Sequence, residues 1–188
     1  ALEGVSLKTE KRRILNALIQ DLPFVKFSLE DKRFLDFEII PLGIGTVDID
    51  KDPLMTNSFH DMFIMSPFVS SGVLQSFDNR KILKINNRHL ITRTTELHKI
   101  AGKLNNFKVF TIKDAVVEGE EIVSDNETSN VQQQDIHAKI YLMTKDSSST
   151  LYLGSMNASD NGLHRNIEML LKLSAYRYYL NIEQIEAD

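Results

Sequence analysis

Between Phe34 and Ile112 the chain alternates short apolar runs with helix-like stretches, and this alternation limits its fold more than any other feature. Phe34 to Leu42 (FLDFEIIPL) alternates apolar and acidic residues and stops near Pro41 and Gly43, as a strand does. Met62 to Phe68 is an apolar run ending in a Ser-Pro turn, the pattern of a strand buried on both faces. A helix with a serine cap is expected from Ser70 to Phe77. His89 to Arg93 reads as a strand, Thr94 or Thr95 to Leu104 as a helix, and Phe107 to Ile112 as a further strand. Strand–helix alternation of this kind predicts an α/β fold with a mixed, mostly parallel central sheet flanked by helices on both faces.

The ends of the chain add less regular material. Ser6 to Asp21 carries Ile14, Leu15, Leu18 and Ile19 at helical spacing, and Pro23 stops it. Val117 to Gln134 is polar, and residues 119–134 in particular read as a flexible loop. Three strands follow close together, at Ile136 to Met143, Thr150 to Gly154 and Asn166 to Leu173, before a helix from Ala175 to Glu186. The whole of 1–188 is expected to be a single domain, complete in itself or cut from a longer protein. A chain of this size buries roughly 70% of its unfolded surface and needs no staples.

Composition removes several function classes. There is no cysteine, so disulfides and thiolate metal sites are excluded, and a reducing, cytoplasmic setting is expected. No apolar run is long enough to span a bilayer, no apolar leader is visible at the N-terminus, and there is no tryptophan for a membrane-docking belt. Gly43-x-Gly45 is followed by no helix signal, which argues against a dinucleotide site. A net charge of −4 argues against a protein that coats polyanions. The charge is unevenly spread: Arg80 to Lys113 holds nine basic residues and one acid, whereas Asp114 to Asp135 holds seven acids and no Lys or Arg. A basic block of this kind can steer a phosphodiester locally.

Two short stretches carry the chemistry. His137-Ala138-Lys139 puts an imidazole and an ammonium two positions apart, and Gly154-Ser155-Met156-Asn157 does the same for a hydroxyl and a carboxamide. On extended strands each pair would share a face, giving a donor-rich pocket that suits phosphate. His137 can serve there as nucleophile or proton carrier near neutral pH.

The run His137-x-Lys139 … Gly154-Ser155-x-Asn157 resembles the HKD half-motif of the phospholipase D superfamily, written HxK(x)4D(x)6GSxN. Asn166-Ile167-Glu168 resembles the N-x-E that follows in nuclease-like members. The likeness extends over Asp135 to Leu173 and departs from the pattern twice. The aspartate slot holds Thr144, and the gap to Gly154 is three residues longer, with Ser147-Ser148-Ser149 as the apparent insertion. The phrasing is similar to phospholipase D-like modules attached to bacterial helicases and to restriction or defence nucleases.

The resemblance implies a metal-independent phosphodiesterase, a nuclease acting on DNA, with no cofactor. It implies catalytic roles for His137, Lys139, Ser155, Asn157 and Glu168, with His137 forming a phosphohistidine. Lys139 and Asn157 would bind the non-bridging oxygens, and Glu168 would orient an imidazole. Arg93, His164 and Arg165 are candidate substrate contacts. Because such enzymes use two half-motifs and this sequence holds one, the second is expected from a homodimer or from another part of a longer protein. Two alternatives are a non-catalytic phosphate- and nucleic-acid-binding, dimerising module of a larger protein, and an enzyme of phospholipids.

Overall fold

A computed structural model describes residues 8–45, 47–80, 87–111 and 137–187. The expected loop at 119–134 and the basic residues Lys81, Lys84 and Lys113 lie outside these residues.

The chain divides into two compact units, Ala1–Lys32 and Arg33–Asp188. The first contains helix α1 (Thr9–Asp21), which ends in a short 3₁₀ turn at Leu22–Phe24 where Pro23 sits. No residue of α1 is buried.

The second unit is built on one seven-stranded sheet. Its strands are β1 (Phe34–Leu42), β2 (Asp61–Met65), β3 (Asn87–Thr92), β4 (Phe107–Thr111), β5 (Ile140–Lys145), β6 (Ser148–Gly154) and β7 (Glu168–Tyr176). Between them lie the helices α2 (Pro53–Thr56), α3 (Ser71–Asp78), α4 (Leu97–Ile100), α5 (Asp160–His164) and α6 (Ile182–Ala187). The strand order is β1-β7-β6-β5-β2-β3-β4. The sheet is mixed, as the sequence pattern predicts, but it is not mostly parallel. Only β2–β3 and β3–β4 pair in parallel, whereas β5 meets β2, β6 and β7 follow β5, and β1 meets β7, all antiparallel. The cause lies in the connections. Asp146 and Ser147 alone join β5 to β6, and so short a link permits only a hairpin. Asp146 takes φ 52°, a left-handed conformation that aspartate tolerates.

Both faces of the sheet carry apolar side chains, which is why β2 reads as continuously apolar. On one face Met62, Ile64, Leu90 and Tyr141 pack against Leu54 of α2, Leu74 and Phe77 of α3, Ile100 of α4 and Leu163 of α5. On the other, Phe63, Leu142, Leu151 and Leu173 meet Ile182 and Ile185 of α6. Among the described residues no helix is long and apolar enough to cross a membrane.

Two elements differ from expectation for local reasons. Ser70 stands at the N-cap of α3, yet its hydroxyl accepts the Asp160 N–H at 3.1 Å instead of capping its own helix. The helix expected from Thr94 or Thr95 to Leu104 is a 3₁₀ turn (Thr94–Glu96) running into α4, with no threonine side chain capping it. It stops where Gly102, at φ 69°, turns the chain.

The aspartate that the HKD pattern places at position 144 has a counterpart across the sheet. Thr144 is fully buried and paired in register with Asp61 of β2. Its hydroxyl donates to Asp61 Oδ2 at 2.8 Å, and Arg177 Nη2 donates to the same oxygen at 2.7 Å. A carboxylate from the neighbouring strand thus holds the Thr144 hydroxyl. Replacing it by Asp61→Ala strands a buried hydroxyl and a cation. We expect a loss of about 2 kcal/mol in urea unfolding with an unchanged slope, and partial recovery in Asp61→Asn.

Candidate functional site

The stretches His137–Lys139 and Gly154–Asn157 come together at one end of the sheet. Gly154 N–H donates to Lys139 O at 3.2 Å, one step beyond the pairing of Ile140 with Leu153. This bond joins the HxK stretch to the start of GSxN. The end of the sheet concerned holds the carboxyl termini of β2, β3 and β6, the usual place for a ligand in an open α/β sheet. The three-residue excess of the gap falls within a hairpin whose turn, at Asp146 and Ser147, lies at the opposite end. The pairing beside Lys139 is therefore undisturbed.

His137 and Lys139 are not on the strand, as their i,i+2 spacing suggested, but in the irregular segment before it. Beyond Gly154 and Met65 neither neighbouring strand continues, so residues 137 and 138 have nothing to pair with. His137 is exposed. Lys139 turns back, and its Nζ donates to the carbonyl oxygen of His137 at 2.6 Å. That contact folds the motif into a compact loop and keeps the ammonium beside the backbone that carries the imidazole.

Ser155 is fixed by two bonds to the start of β7. Its N–H donates to Met169 O at 3.0 Å, and its Oγ accepts the Met169 N–H at 3.0 Å. Gly154 must be glycine for this approach, because a Cβ there would run into the Met169 carbonyl oxygen. Asn157 is half-buried, and its enclosed carboxamide oxygen has no hydrogen-bond partner among the described residues.

Glu168 is buried, as a site carboxylate would be, but it does not hold an imidazole. Oε1 accepts a hydrogen bond from Asn166 Nδ2 at 3.0 Å, so the N-x-E residues bind each other. Tyr141 lies near Glu168 and is fully enclosed, its hydroxyl donating to Met156 O at 2.8 Å inside the GSxN loop. Burial, together with the Glu168 charge, holds this phenol well above its ordinary pKa and keeps it a donor.

A groove of about 710 Å³ opens beside Asn157. Its walls are the β2–α3 loop (Phe68 to Ser71), Lys99 and Lys103 from and just after α4, and the segment Ser159 to Asn161. Hydrogen bonds lock these walls together. Ala158 N–H donates to Ser66 Oγ at 2.9 Å, Ser70 N–H to Ala158 O at 3.0 Å, and Val69 N–H to Glu96 Oε2 at 3.0 Å. Arg93, a candidate substrate contact, stacks its guanidinium 4.2 Å from the centre of the Phe68 ring at the groove. His164 lies instead 3.9 Å from Asp50, and Arg165 closes α5 through its backbone; neither lines the groove. Among the described residues no group of three or more metal-ligating side chains converges.

The basic block resolves into two roles. Arg80 donates to Leu54 O at 2.7 Å, and burial, with the Arg88 charge beside it, lowers its pKa to about 10. Arg88 is buried, donating to Phe77 O and Arg80 O at 2.8 Å each and pairing with Asp78. These two guanidiniums tie down the end of α3, whereas Lys103 and Lys108 remain exposed. The groove residues Phe68, Lys103 and Asn161 escape sequence reasoning. Only the charge block hinted at Lys103, and nothing in the local pattern marks an exposed phenylalanine after a Ser-Pro turn.

Glu96 is the acid on which two of the groove's walls close. Burial works against its charge, but the Lys99 hydrogen bond, the Val69 N–H and the nearby Lys99 and His98 charges together outweigh it, so its pKa is depressed. A depressed carboxylate stabilises the fold fully above its unfolded value, near 4.5, and that contribution is lost as pH falls through the folded value. Glu96→Gln is therefore expected to be less stable than the wild type at neutral pH. The difference should shrink in thermal melts as pH falls below 4.5.

No known family profile matches the chain, and no curated protein matches it. Among solved structures it is similar to NucT from Helicobacter pylori, with 16% identity and a TM-score of 0.47 over 80% of this chain and 92% of that one. It is also similar to Nuc from Salmonella typhimurium, a phospholipase D family member, with 10% identity and a TM-score of 0.47 over 74% of this chain and 83% of that one. A third is yeast tyrosyl-DNA phosphodiesterase, with 8% identity and a TM-score of 0.47 over 73% of this chain but only 31% of that one. These likenesses are distant, and the reading of the site rests on its own residues.

Proposed function

We propose that this chain is a metal-independent phosphodiesterase of the phospholipase D type that acts on nucleic acid. The observation that carries the reading is the bond from Gly154 N–H to Lys139 O, which brings the HxK and GSxN stretches to one end of the sheet beside an exposed histidine. In this scheme a neutral His137 imidazole attacks phosphorus and a P–N bond forms. The bond from phosphorus to the leaving oxygen breaks, and that oxygen takes a proton from the imidazolium of a second HKD half. The neutral imidazole left there removes a proton from water, the resulting hydroxide attacks phosphorus, and the P–N bond breaks. Lys139 and Asn157 bind the non-bridging oxygens. Donors aimed at developing charge contribute on the order of 3–4 kcal/mol each. Two imidazoles at one phosphate titrate as a pair.

The second half is proposed to come from another copy of the chain. One row of apolar side chains crosses the whole sheet at the His137 end, from Ile39 through Leu153, Ile140 and Met65 to Phe110. Its outer members Ile39 and Phe110 are 49% and 45% exposed, a face that a second copy would cover.

One observation favours a second reading, a non-catalytic phosphate-binding module. Lys139 is turned onto the His137 carbonyl, and no carboxylate of the described residues orients the His137 ring. Turnover separates the two. The purified protein is expected to hydrolyse bis-p-nitrophenyl phosphate and DNA in EDTA, and His137→Ala should lower the rate at least about 1,000-fold. Activity that survives in the variant, or that EDTA abolishes, contradicts the hydrolase. Nucleic-acid binding by the wild type without any turnover supports the second reading.

A further inference from the structure

We propose that the groove beside Asn157 is a seat for single-stranded nucleic acid, with Phe68 as a base-stacking platform and Lys103 as a phosphate contact. The inference deepens the hydrolase reading by naming its substrate class, but the binding it describes stands on the groove alone.

Phe68 is 45% exposed at the end of the β2–α3 loop. Its ring offers an apolar surface beside a polar groove, and its backbone is held from several sides. Its carbonyl accepts the Ser66 hydroxyl at 2.7 Å, and the following residue, Val69, is bound by Glu96 and bridged to Ala158. The Arg93 guanidinium, 4.2 Å from the ring centre, adds a planar cation to the same platform. A ring so fixed loses little entropy when a base stacks on it, and every base has a face to offer. In a duplex those faces are already stacked on neighbours, so the platform selects unpaired bases.

The other groove residues supply the complementary groups. Lys99 is neutralised in place by Glu96, with Nζ 2.6 Å from Oε2, so it shapes the wall more than it attracts anions. Lys103 is exposed and paired with no acid of the described residues. Asp160 also lines the groove, so the net charge along it is small. Stacking and amide contacts from Asn161 and Asn166 must therefore carry more of the binding than charge does. Asn157 belongs to both the groove and the GSxN loop, so the groove meets the proposed phosphate site at that residue.

The test measures fluorescence anisotropy of a labelled single-stranded oligonucleotide, and of the same sequence as a duplex, against the full chain at several salt concentrations. Bis-p-nitrophenyl phosphate hydrolysis is followed in parallel. The wild type should bind the single strand in preference to the duplex. Phe68→Ala should weaken that binding about tenfold, and Phe68→Tyr should restore it. Lys103→Gln should lower the salt slope by about 0.7, one phosphate contact on a single strand. Equal affinity for duplex, no binding of the single strand at low salt, or wild-type binding by Phe68→Ala overturns the proposal. If the small substrate is not cleaved but Phe68→Ala still loses the single strand, the groove assignment stands and the hydrolase reading falls.

Discussion

The site depends first on the antiparallel pairing of β5 with β6 at the centre of the sheet. To one side of this hairpin lie the parallel strands β2, β3 and β4, and to the other the antiparallel strands β7 and β1. Its open end therefore falls where the two halves of the sheet meet. Because side chains alternate with a period of two, a slip of one residue between β5 and β6 would turn either Tyr141 or Tyr152 out of the core and break the bond from Gly154 to Lys139. Both tyrosines are fully buried, so the register is specified by the same packing that holds the domain together.

Around that fixed point the loops are held mainly by their own backbone groups. The Ser66 hydroxyl is completely buried, accepting from Ala158 N–H and donating to the Phe68 carbonyl. It joins the end of β2 to the loop after β6 through a single oxygen. Glu96 performs the same task between β2 and α4. A binding region assembled this way is stiff without metal or disulfide, since each wall satisfies polar groups of the next.

Much of this was legible from the residues, and the reasons it was not more so are physical. β1 was readable to its ends because its apolar and acidic residues run up to Pro41 and Gly43, even though its burial is irregular and its pairing with β7 shifts register between Phe34 and Asp36. The direction of β5, β6 and β7 was harder to read, because apolar alternation has the same period in either orientation; only their close spacing favoured hairpins. His137 and Lys139 were recognised by type and spacing, yet their backbone is irregular, since strand pairing stops at Gly154 and propensity cannot show where a neighbour ends. Thr144 looked like the loss of a structural carboxylate. Its hydroxyl is bound by the carboxylate of Asp61, 83 residues away in sequence, a contact that local pattern does not reveal. Glu168 was found by its motif, but its partner is Asn166 two residues before it, a contact set by the turn into β7.

The central claim is that His137, Lys139 and Asn157 act together on one phosphate. It is tested most directly by titrating the protein with tungstate, a phosphate mimic, while following the histidine imidazole resonances, with the His137 signals assigned from His137→Gln. The account predicts a saturable shift confined to His137 that is lost in Lys139→Ala and in Asn157→Ala. An unperturbed His137 at saturating tungstate, or a shift that survives both substitutions, would contradict it.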